Sequence, residues 1–341
     1  MITKLILGLT SVIARDNQRE LAAAGDTTES IDLVEFDMEY TSNEGYKFHY
    51  ANYGTDWKEI EGLDAKDNKC SADIQSPINL MEPIGSYGWA YGYPKAKVDD
   101  QWTSEYSNVK DVLIEWDYNK IQVTFSQEDA LQMFMESNLA ETVIGGKSKR
   151  FQPTHMVLKS PSEHSINGHH YDVELQVYHD AETQDGNDIK HSATAIMFSV
   201  EEFEAIDEKN NKTFQDFFRQ FKFEDHENKV APIFDIGDAL NIIDYSERWV
   251  YKGSVSEPPC TQFVYWNIVK RIYPIEIERF EWLKDFLYSK KKYLGSYKNN
   301  RRIQTVSPEK HLVSYVSAVF FKRAQIFIMA AFSLLAYTNM Y

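Results

Sequence analysis

The sequence predicts a mainly β fold of the α+β class, in which a large twisted mixed sheet, mostly antiparallel, carries short peripheral helices. Three observations predict it. Runs of β-branched and aromatic residues alternate with period two, and Gly, Pro, Asn and Asp bound them. Two short segments have helical periodicity instead. The two kinds of segment do not follow the regular βαβ rhythm of a parallel sheet.

The predicted elements follow one another along the middle of the chain. The strands are Lys120–Phe125, Thr154–Lys159, Tyr171–His179, Ala193–Glu201 and Gln262–Lys270. The helices are Thr213–Phe221 and Ile277–Tyr288. The second helix places Ile277, Phe280, Leu283 and Leu287 on one stripe, which predicts that this stripe faces the sheet.

Length and composition favour one large domain with an extension at each end. The 341 residues are 43% hydrophobic and 14% aromatic, which is enough to bury a single large core. The formal net charge of -16 repels the phosphates of nucleic acids. We therefore expect no nucleic-acid partner.

Both ends carry apolar segments that are typical of targeting signals. Residues 1–14, with Lys4 ahead of an apolar run, predict a signal peptide, and a retained N-terminal helix is the alternative. Residues 15–44 form an acidic leader, and residues 309–341 form a C-terminal tail. Its last eighteen residues, 324–341, are apolar and marginal in length for a bilayer span. If the body of the protein is exported, the preceding Lys322 and Arg323 would lie on the outer side of the membrane, whereas basic residues usually lie on the inner side. This conflict favours a removable lipid-anchor signal over a true span or a packed helix.

The chain has two cysteines, Cys70 and Cys260. In a cytosolic protein they would be buried thiols, whereas in an exported one they would form a bridge. Because a signal peptide is predicted, we expect the bridge, and Asn211 in the sequence Asn-Lys-Thr becomes a glycosylation site. The predicted location is the secretory pathway, with the protein secreted or held at the outer face of a membrane.

Four motifs carry a family resemblance. They are QSPINL (75–80), SPSEHSINGHHYDVELQVYH (160–179), GSVSEPPC (253–260) and NNRRIQ (299–304). In order and spacing they resemble α-class carbonic anhydrase, over about residues 46 to 306. The resemblance implies that family's fold for residues 45–308, and it implies a bridge between Cys70 and Cys260, as in secreted members.

The resemblance also locates the positions of the family's metal ligands. In the family, three histidines hold a zinc ion that activates a bound water for attack on CO₂. Two of these histidines precede the Ser-Pro-Ser-Glu-His turn, where this chain has Val157 and Lys159, and the third falls at Gln176. None of the three suits zinc. The resemblance therefore implies an inactive protein that needs no cofactor. The alternative is an active zinc enzyme with a non-standard site, for which His155 is a candidate ligand.

Other groups of the family site have counterparts in this chain. Glu163 and Ser256 match the pair that orients the zinc-bound hydroxide, and Glu174 matches the carboxylate that supports the third histidine. Glu257 adds a carboxylate. We expect the Lys159 ammonium to pair with Glu174 or Glu257, unless the side chain extends toward the mouth of the cavity.

The predicted role is that of a carbonic anhydrase-like pseudoenzyme, similar to the carbonic anhydrase-related proteins that lack zinc histidines. It would act as a binding or structural domain at a membrane surface, with an unnamed protein or small molecule as partner. A metal-free esterase that uses Ser256 is disfavoured, because its motif contains no base. The aromatic stretch Ile84–Asp111 is a candidate contact surface, or it folds onto the edge of the domain.

Overall fold

Fourteen strands and five helices make up the described part of the chain. The computed structural model describes residues 46, 48–81, 102–116, 120–137, 148–182, 189–223, 229–291 and 297–317. The strands are β1 Asn79–Leu80, β2 Trp102–Glu105, β3 Val109–Trp116, β4 Ile121–Thr124, β5 Phe134–Ser137, β6 Lys149–Lys159, β7 Ser165–Ile166, β8 Val173–Ala181, β9 His191–Ser199, β10 Lys229–Phe234, β11 Glu247–Ser254, β12 Gln262–Val269, β13 Tyr273–Pro274 and β14 Ser314–Ser317. The helices are α1 Gln127–Ala130, α2 Glu208–Arg219, α3 Ile236–Leu240, α4 Ile277–Lys291 and α5 Pro308–His311.

Twelve of these strands form one sheet, and its main path runs β10-β3-β4-β6-β8-β9-β12-β11-β14. Strand β9 pairs in parallel with β12 and β13, whereas the pairs from β10 to β9 along the path are antiparallel. The prediction of a mixed, mostly antiparallel sheet with short helices is confirmed. Strands β6 and β8 lie near its middle, where both faces are covered.

The predicted strands and helices are all present, and the two boundaries that differ most from the prediction do so for physical reasons. Strand β6 begins at Lys149 and not at Thr154, because its first residues pair with β5 as well as β8. Helix α2 begins at Glu208 and not at Thr213, since the Asp207 side chain caps it by accepting a hydrogen bond from the Asn210 N–H. Asn211 of the predicted glycosylation site therefore lies in the first turn of a helix, half-buried.

Helix α4 packs against the sheet with part of the predicted stripe. Leu283 and Leu287 are buried and Phe280 is partly buried, as predicted. Ile277 is 62% exposed, so its placement on the buried stripe was wrong. It is the first residue of the helix, and Phe286 one turn before the helix end is buried in the core with the two leucines.

Period-two alternation along β6 and β8 divides their side chains between two hydrophobic clusters. Met156, Leu158 and Leu175 join the cluster that contains the helical phenylalanines of α2. Val157 and Tyr178 join the other cluster, with Trp249 and Trp266 among its members. The predicted ligand positions thus face away from α2, on the side covered by the loops that the family motifs form.

The sheet continues past residue 308, the predicted end of the domain. Strand β14 pairs with β11, and Val313 and Tyr315 are buried in the core beside Trp249. The segment assigned to the tail therefore begins inside the fold.

The predicted signal peptide, acidic leader and apolar segment 324–341 lie outside the described residues, as do most of the aromatic residues in the stretch 84–111. Trp102 is described, and its ring stacks on that of Tyr245 with 4.7 Å between centroids. Among the described residues no helix is both long and apolar enough to cross a bilayer.

Candidate functional site

The register between β6 and β8 brings the predicted ligand positions together. Val157 lies opposite Gln176, and Lys159 lies opposite Glu174. Directly opposed residues in an antiparallel pair project on the same face. All four side chains are fully buried, and they lie at one point of the sheet.

The Lys159 ammonium is enclosed by a tyrosine and two carboxylates. Its Nζ donates a hydrogen bond to the Tyr50 hydroxyl at 2.6 Å. It also lies 3.7 Å from an oxygen of Glu163 and 3.7 Å from an oxygen of Glu257. Of the two expected partners, the structure pairs it with Glu257, while Glu174 binds His164. The alternative in which Lys159 extends toward the cavity mouth is wrong, because the side chain is fully buried.

Gln176 bridges the two buried glutamates. Its Nε2 donates to Glu163 at 3.0 Å and to Glu174 at 2.7 Å. Its Oε1 accepts a hydrogen bond from the Tyr178 hydroxyl at 2.9 Å, and the Ser256 hydroxyl lies 3.4 Å away. The amide nitrogen must face the carboxylates, since only it can donate to them.

The two glutamates differ in the direction of their pKa shifts. Burial raises the pKa of Glu163 above its ordinary value, and the opposing attraction of Lys159 and hydrogen bonds from Ser256 and Gln176 only reduce that rise. Burial also opposes ionisation of Glu174, but His164 outweighs it and holds the pKa of Glu174 below its ordinary value. Glu174 accepts from both the backbone N–H and the Nδ1 of His164, at 2.8 and 2.9 Å. Glu174 is therefore a fixed anion, whereas Glu163 is the group whose protonation is favoured by the fold.

Tyr178 lies between the buried polar side chains described above and a cavity. Its hydroxyl reaches Gln176 and lies 3.3 Å from the hydroxyl of Ser256. Its ring stacks on the His155 imidazole, with centroids 4.8 Å apart and an angle of 8° between planes. Both rings line a cavity of about 490 Å³. We use the name buried centre for Lys159, Glu163, Glu174 and Gln176.

Several ionisable groups that line the cavity contact one another. Lys120 Nζ is 3.7 Å from Glu257, and His191 Nδ1 is 2.7 Å from Asp180. Although burial opposes ionisation of Glu257, Lys120 and Lys159 hold its pKa below the ordinary value. Burial lowers the pKa of His155 to about 4, so this imidazole is neutral near pH 7.

The histidines that could join His155 in a metal site are dispersed. His164 is held between Glu174 and the Tyr251 hydroxyl, His179 contacts the Tyr106 hydroxyl at 3.0 Å, and His170 contacts the Ser162 carbonyl. His169 is half-exposed beside Glu202. Within the described ranges no three His, Cys, Asp or Glu side chains converge on one point that could hold a metal ion.

A disulfide joins Cys70 to Cys260, which confirms that prediction. It lies in an aromatic cluster with Phe48, Tyr50 and Trp57. The bridge thus links the segment that supplies Tyr50 to the turn that supplies Ser256 and Glu257. Sequence reasoning missed Tyr50, Lys120 and Tyr178, although the parity of Tyr178 with Gln176 on one strand was a signal for the last of them.

Comparison with known proteins identifies the family. The model of the eukaryotic-type carbonic anhydrase domain matches residues 55–313. The chain belongs to this family. The recognition made from the four motifs is therefore confirmed.

Individual relatives are distant and match in part. Dioscorin DB3L of Dioscorea polystachya is 28% identical over 123 residues, which are 36% of this chain and 42% of dioscorin. Carbonic anhydrase 4 of Mus musculus is 23% identical over 248 residues, 69% of this chain and 73% of the mouse protein. The chain spans between 38% and 52% of the length of the dioscorins and of alpha carbonic anhydrase 7 of Arabidopsis thaliana.

Solved structures of the family share the fold. A crystal structure of dioscorin complexed with ascorbate has a TM-score of 0.55 and 19% identity, over 80% of this chain and 98% of that one. A halotolerant carbonic anhydrase from Dunaliella salina has a TM-score of 0.56 and 21% identity, over 79% and 97%. At these identities the likeness concerns the fold.

Proposed function

We propose that this protein is a catalytically silent member of the carbonic anhydrase family, which acts as a binding domain in the secretory pathway. The observation that carries the proposal is the Lys159 ammonium, held 3.7 Å from each of Glu163 and Glu257. Lys159 matches a position at which the family has a zinc-binding histidine. A fixed positive charge at that position repels a divalent cation. No cofactor is needed for the role.

The donor set of the buried centre argues against zinc. Val157 has no donor atom. The nitrogen of Gln176 already donates to two carboxylates, and amides are poor zinc ligands. Glu163 and Glu174 are held by their own hydrogen bonds. The three replaced histidine positions therefore account for a loss of CO₂ hydration.

Tyr178 supports the same conclusion independently. Its hydroxyl bonds to Gln176, and its ring lies in the floor of the cavity. A water activated by a metal at the buried centre would need access to that cavity, which is where this side chain lies. The competing function, an active carbonic anhydrase with a non-standard metal site, would have to move both Lys159 and Tyr178.

The disulfide between Cys70 and Cys260 supports an exported protein, because such bridges persist in oxidising compartments. Attachment to a membrane through residues 324–341 is part of the proposal, and so is glycosylation at Asn211. The partner would be a protein or a small molecule. Expression of the full chain with mass analysis of its ends and membrane fractionation tests this part.

Metal content and turnover decide between the two functions. Purified protein is expected to contain no stoichiometric zinc by elemental analysis and to show no CO₂ hydration above the uncatalysed rate. Stoichiometric zinc together with turnover that a sulfonamide inhibits would overturn the proposal.

A constructive experiment tests the assignment of the positions. The triple variant Val157→His, Lys159→His, Gln176→His is expected to take up zinc, and adding Tyr178→Val should raise its occupancy by opening the floor. Val157→His alone is the matched control and should remain without zinc. If the quadruple variant folds but takes up none, the three positions have been assigned wrongly.

A further inference from the structure

The cavity above Tyr178 is amphipathic. One side comes from the N-terminal segment and the turn after β11, and it is apolar: Tyr46, Phe48, Val255, Pro258 and Pro259. The Tyr46 hydroxyl donates to the Pro258 carbonyl at 2.7 Å, which joins the two parts of this side. The other side comes from adjacent strands β4, β6, β8 and β9, and it is mainly polar.

The polar side offers hydrogen bonds more than net charge. Gln122, Thr154, His155 and the nearby Thr261 are uncharged groups that donate or accept. The charged groups already have partners, since Lys120 lies beside Glu257 and Asp180 lies beside His191. A charged ligand would have to compete with one of these contacts. The neutral groups are partly engaged as well, since Gln122 Nε2 donates to Thr124 at 2.9 Å and Thr154 Oγ1 lies 3.0 Å from His155 Nδ1. The Gln122 amide oxygen and the His155 Nε2 are the groups that a ligand hydroxyl would meet.

We propose that this cavity binds an uncharged, polyhydroxylated ring compound, such as a sugar or a cyclitol. Such a ring has apolar C–H faces that fit the side of the cavity formed by aromatic residues and prolines. The negative face of an aromatic ring attracts the slightly positive hydrogens of C–H groups. Its hydroxyls point to the rim of the ring and meet the side chains of the sheet. The volume of about 490 Å³ is in the ordinary range of small-molecule sites. The proposal rests on the binding role proposed above and names its ligand class.

The same chemistry could be presented by a free sugar or by the terminal residue of a glycan. The two sources are separated by comparing methyl glycosides with a glycopeptide that ends in the same sugar. Binding of the glycosides alone assigns the free compound, and binding of both assigns the glycan. Either result supports the ligand class.

Saturation-transfer NMR on the purified full chain provides the test. The probes are the methyl glycosides of glucose, galactose, mannose and N-acetylglucosamine, together with myo-inositol. Inorganic phosphate and methylammonium are the charged comparators, with their binding followed by calorimetry. At least one polyol is expected to bind, with an affinity that changes less than about twofold between about 0.05 and 0.5 M NaCl, because an uncharged ligand has no attraction for salt to screen.

Two tryptophan substitutions locate the binding. Thr261→Trp should fill the cavity and lower the affinity by about tenfold or more, as expected where a site is obstructed. Thr103→Trp, on the exposed face of β2, introduces the same side chain away from the cavity and should leave binding unchanged. If Thr261→Trp fails to fold, Gln122→Ala is the second variant, and it should weaken binding several-fold.

The proposal is overturned if no polyol binds, if binding survives the obstruction of the cavity, or if phosphate or methylammonium binds there in preference. These outcomes are distinct from failure of the proposed function. Zinc with turnover would reject the silent binding role, whereas a zinc-free protein without polyol binding would reject only this ligand.

Discussion

The buried centre and the cavity lie on the same strands, on either side of Tyr178, yet they hold their charges differently. The centre has Lys159 and Glu163 at 0% exposure of their side chains. The cavity has Lys120 at 23%, and its Asp180 and His191 are more exposed still. Water can therefore replace a lost partner in the cavity but not in the centre. We therefore expect an ion pair in the buried centre to affect the free energy of unfolding more than an ion pair of the same length in the cavity.

The largest effect is expected from Lys159→Met. This change removes the buried ammonium that lies between Glu163 and Glu257, and it should lower the free energy of unfolding by about 3–5 kcal/mol. Lys120→Met is the matched control, because Lys120 is also 3.7 Å from Glu257. The control should cost about 0–1 kcal/mol. Urea denaturation measures both, and equal losses would remove the distinction between the two regions.

The next largest effect is expected from pH, because two histidines beside the cavity are held neutral. Burial lowers the pKa of His155 to about 4 and that of His179 to about 3. Both lie below the unfolded value near 6.5, so the unfolded chain binds more protons between these limits. The contribution of each histidine is therefore present above pH about 6.5 and is lost as pH falls, by about 1.4 kcal/mol per pH unit.

Substitution isolates this contribution from the titration of the glutamates. His179→Gln should reduce the slope of unfolding free energy against pH, between pH about 4 and 6.5, by about 1.4 kcal/mol per pH unit relative to the parent. A parallel slope in His179→Gln would mean that this imidazole is protonated in the folded protein.

A smaller effect separates two glutamines. Gln176→Leu removes the donor shared by Glu163 and Glu174, and it should cost about 1–3 kcal/mol because buried acceptors lose their partner. Gln122→Leu, on the half-exposed side facing the cavity, should change stability by about 0.5 kcal/mol or less. Thermal and urea unfolding measure both. If Gln122→Leu lowered the free energy of unfolding more than Gln176→Leu, the cavity would depend on its hydrogen bonds more than the buried centre does.

The smallest effect concerns Tyr178 itself. Tyr178→Phe removes the hydroxyl that contacts Gln176 and keeps the ring in the cavity floor, so it should cost about 1 kcal/mol. Polyol binding should persist, since the ring remains. Tyr46→Phe is the counterpart, because it removes a hydroxyl bonded to Pro258 on the cavity side. If Tyr178→Phe lost polyol binding but kept the stability of the parent protein, the hydroxyl would act on the ligand in the cavity and not on Gln176.

Much of the fold followed from local pattern and motif. Alternation on β6 and β8 predicts that Val157, Lys159 and Gln176 share one face, and the motifs around them supplied the alignment with the family's ligand positions. The bridge between Cys70 and Cys260 followed from the resemblance and from the predicted compartment. These features depend on spacing along the chain, which a sequence displays directly.

Other features depend on contacts that spacing does not reveal. Tyr50 reaches Lys159 across 109 residues of chain, so no local pattern predicts that hydrogen bond. The preference of Glu174 for His164 over Lys159 is set by a turn that brings the His164 N–H and Nδ1 to the same carboxylate. The start of α2 depends on one capping carboxylate, Asp207, ahead of the periodic residues. Each of these is a tertiary or single-residue effect.

Arg301 connects the buried centre to segments that lie far away in the sequence. Its backbone N–H donates to Glu163, 138 residues earlier, and its guanidinium donates to the carbonyls of Ser76 and Cys70, which are 225 and 231 residues earlier. Contacts of such separation form late, because each must close a long loop. A chain that stops before residue 301 has three of the four family motifs and both cysteines, but its Glu163 lacks this donor. Truncation of the chain at residue 300 would therefore remove the backbone donor of Glu163 while its contacts with Lys159 and Gln176 come from residues that remain.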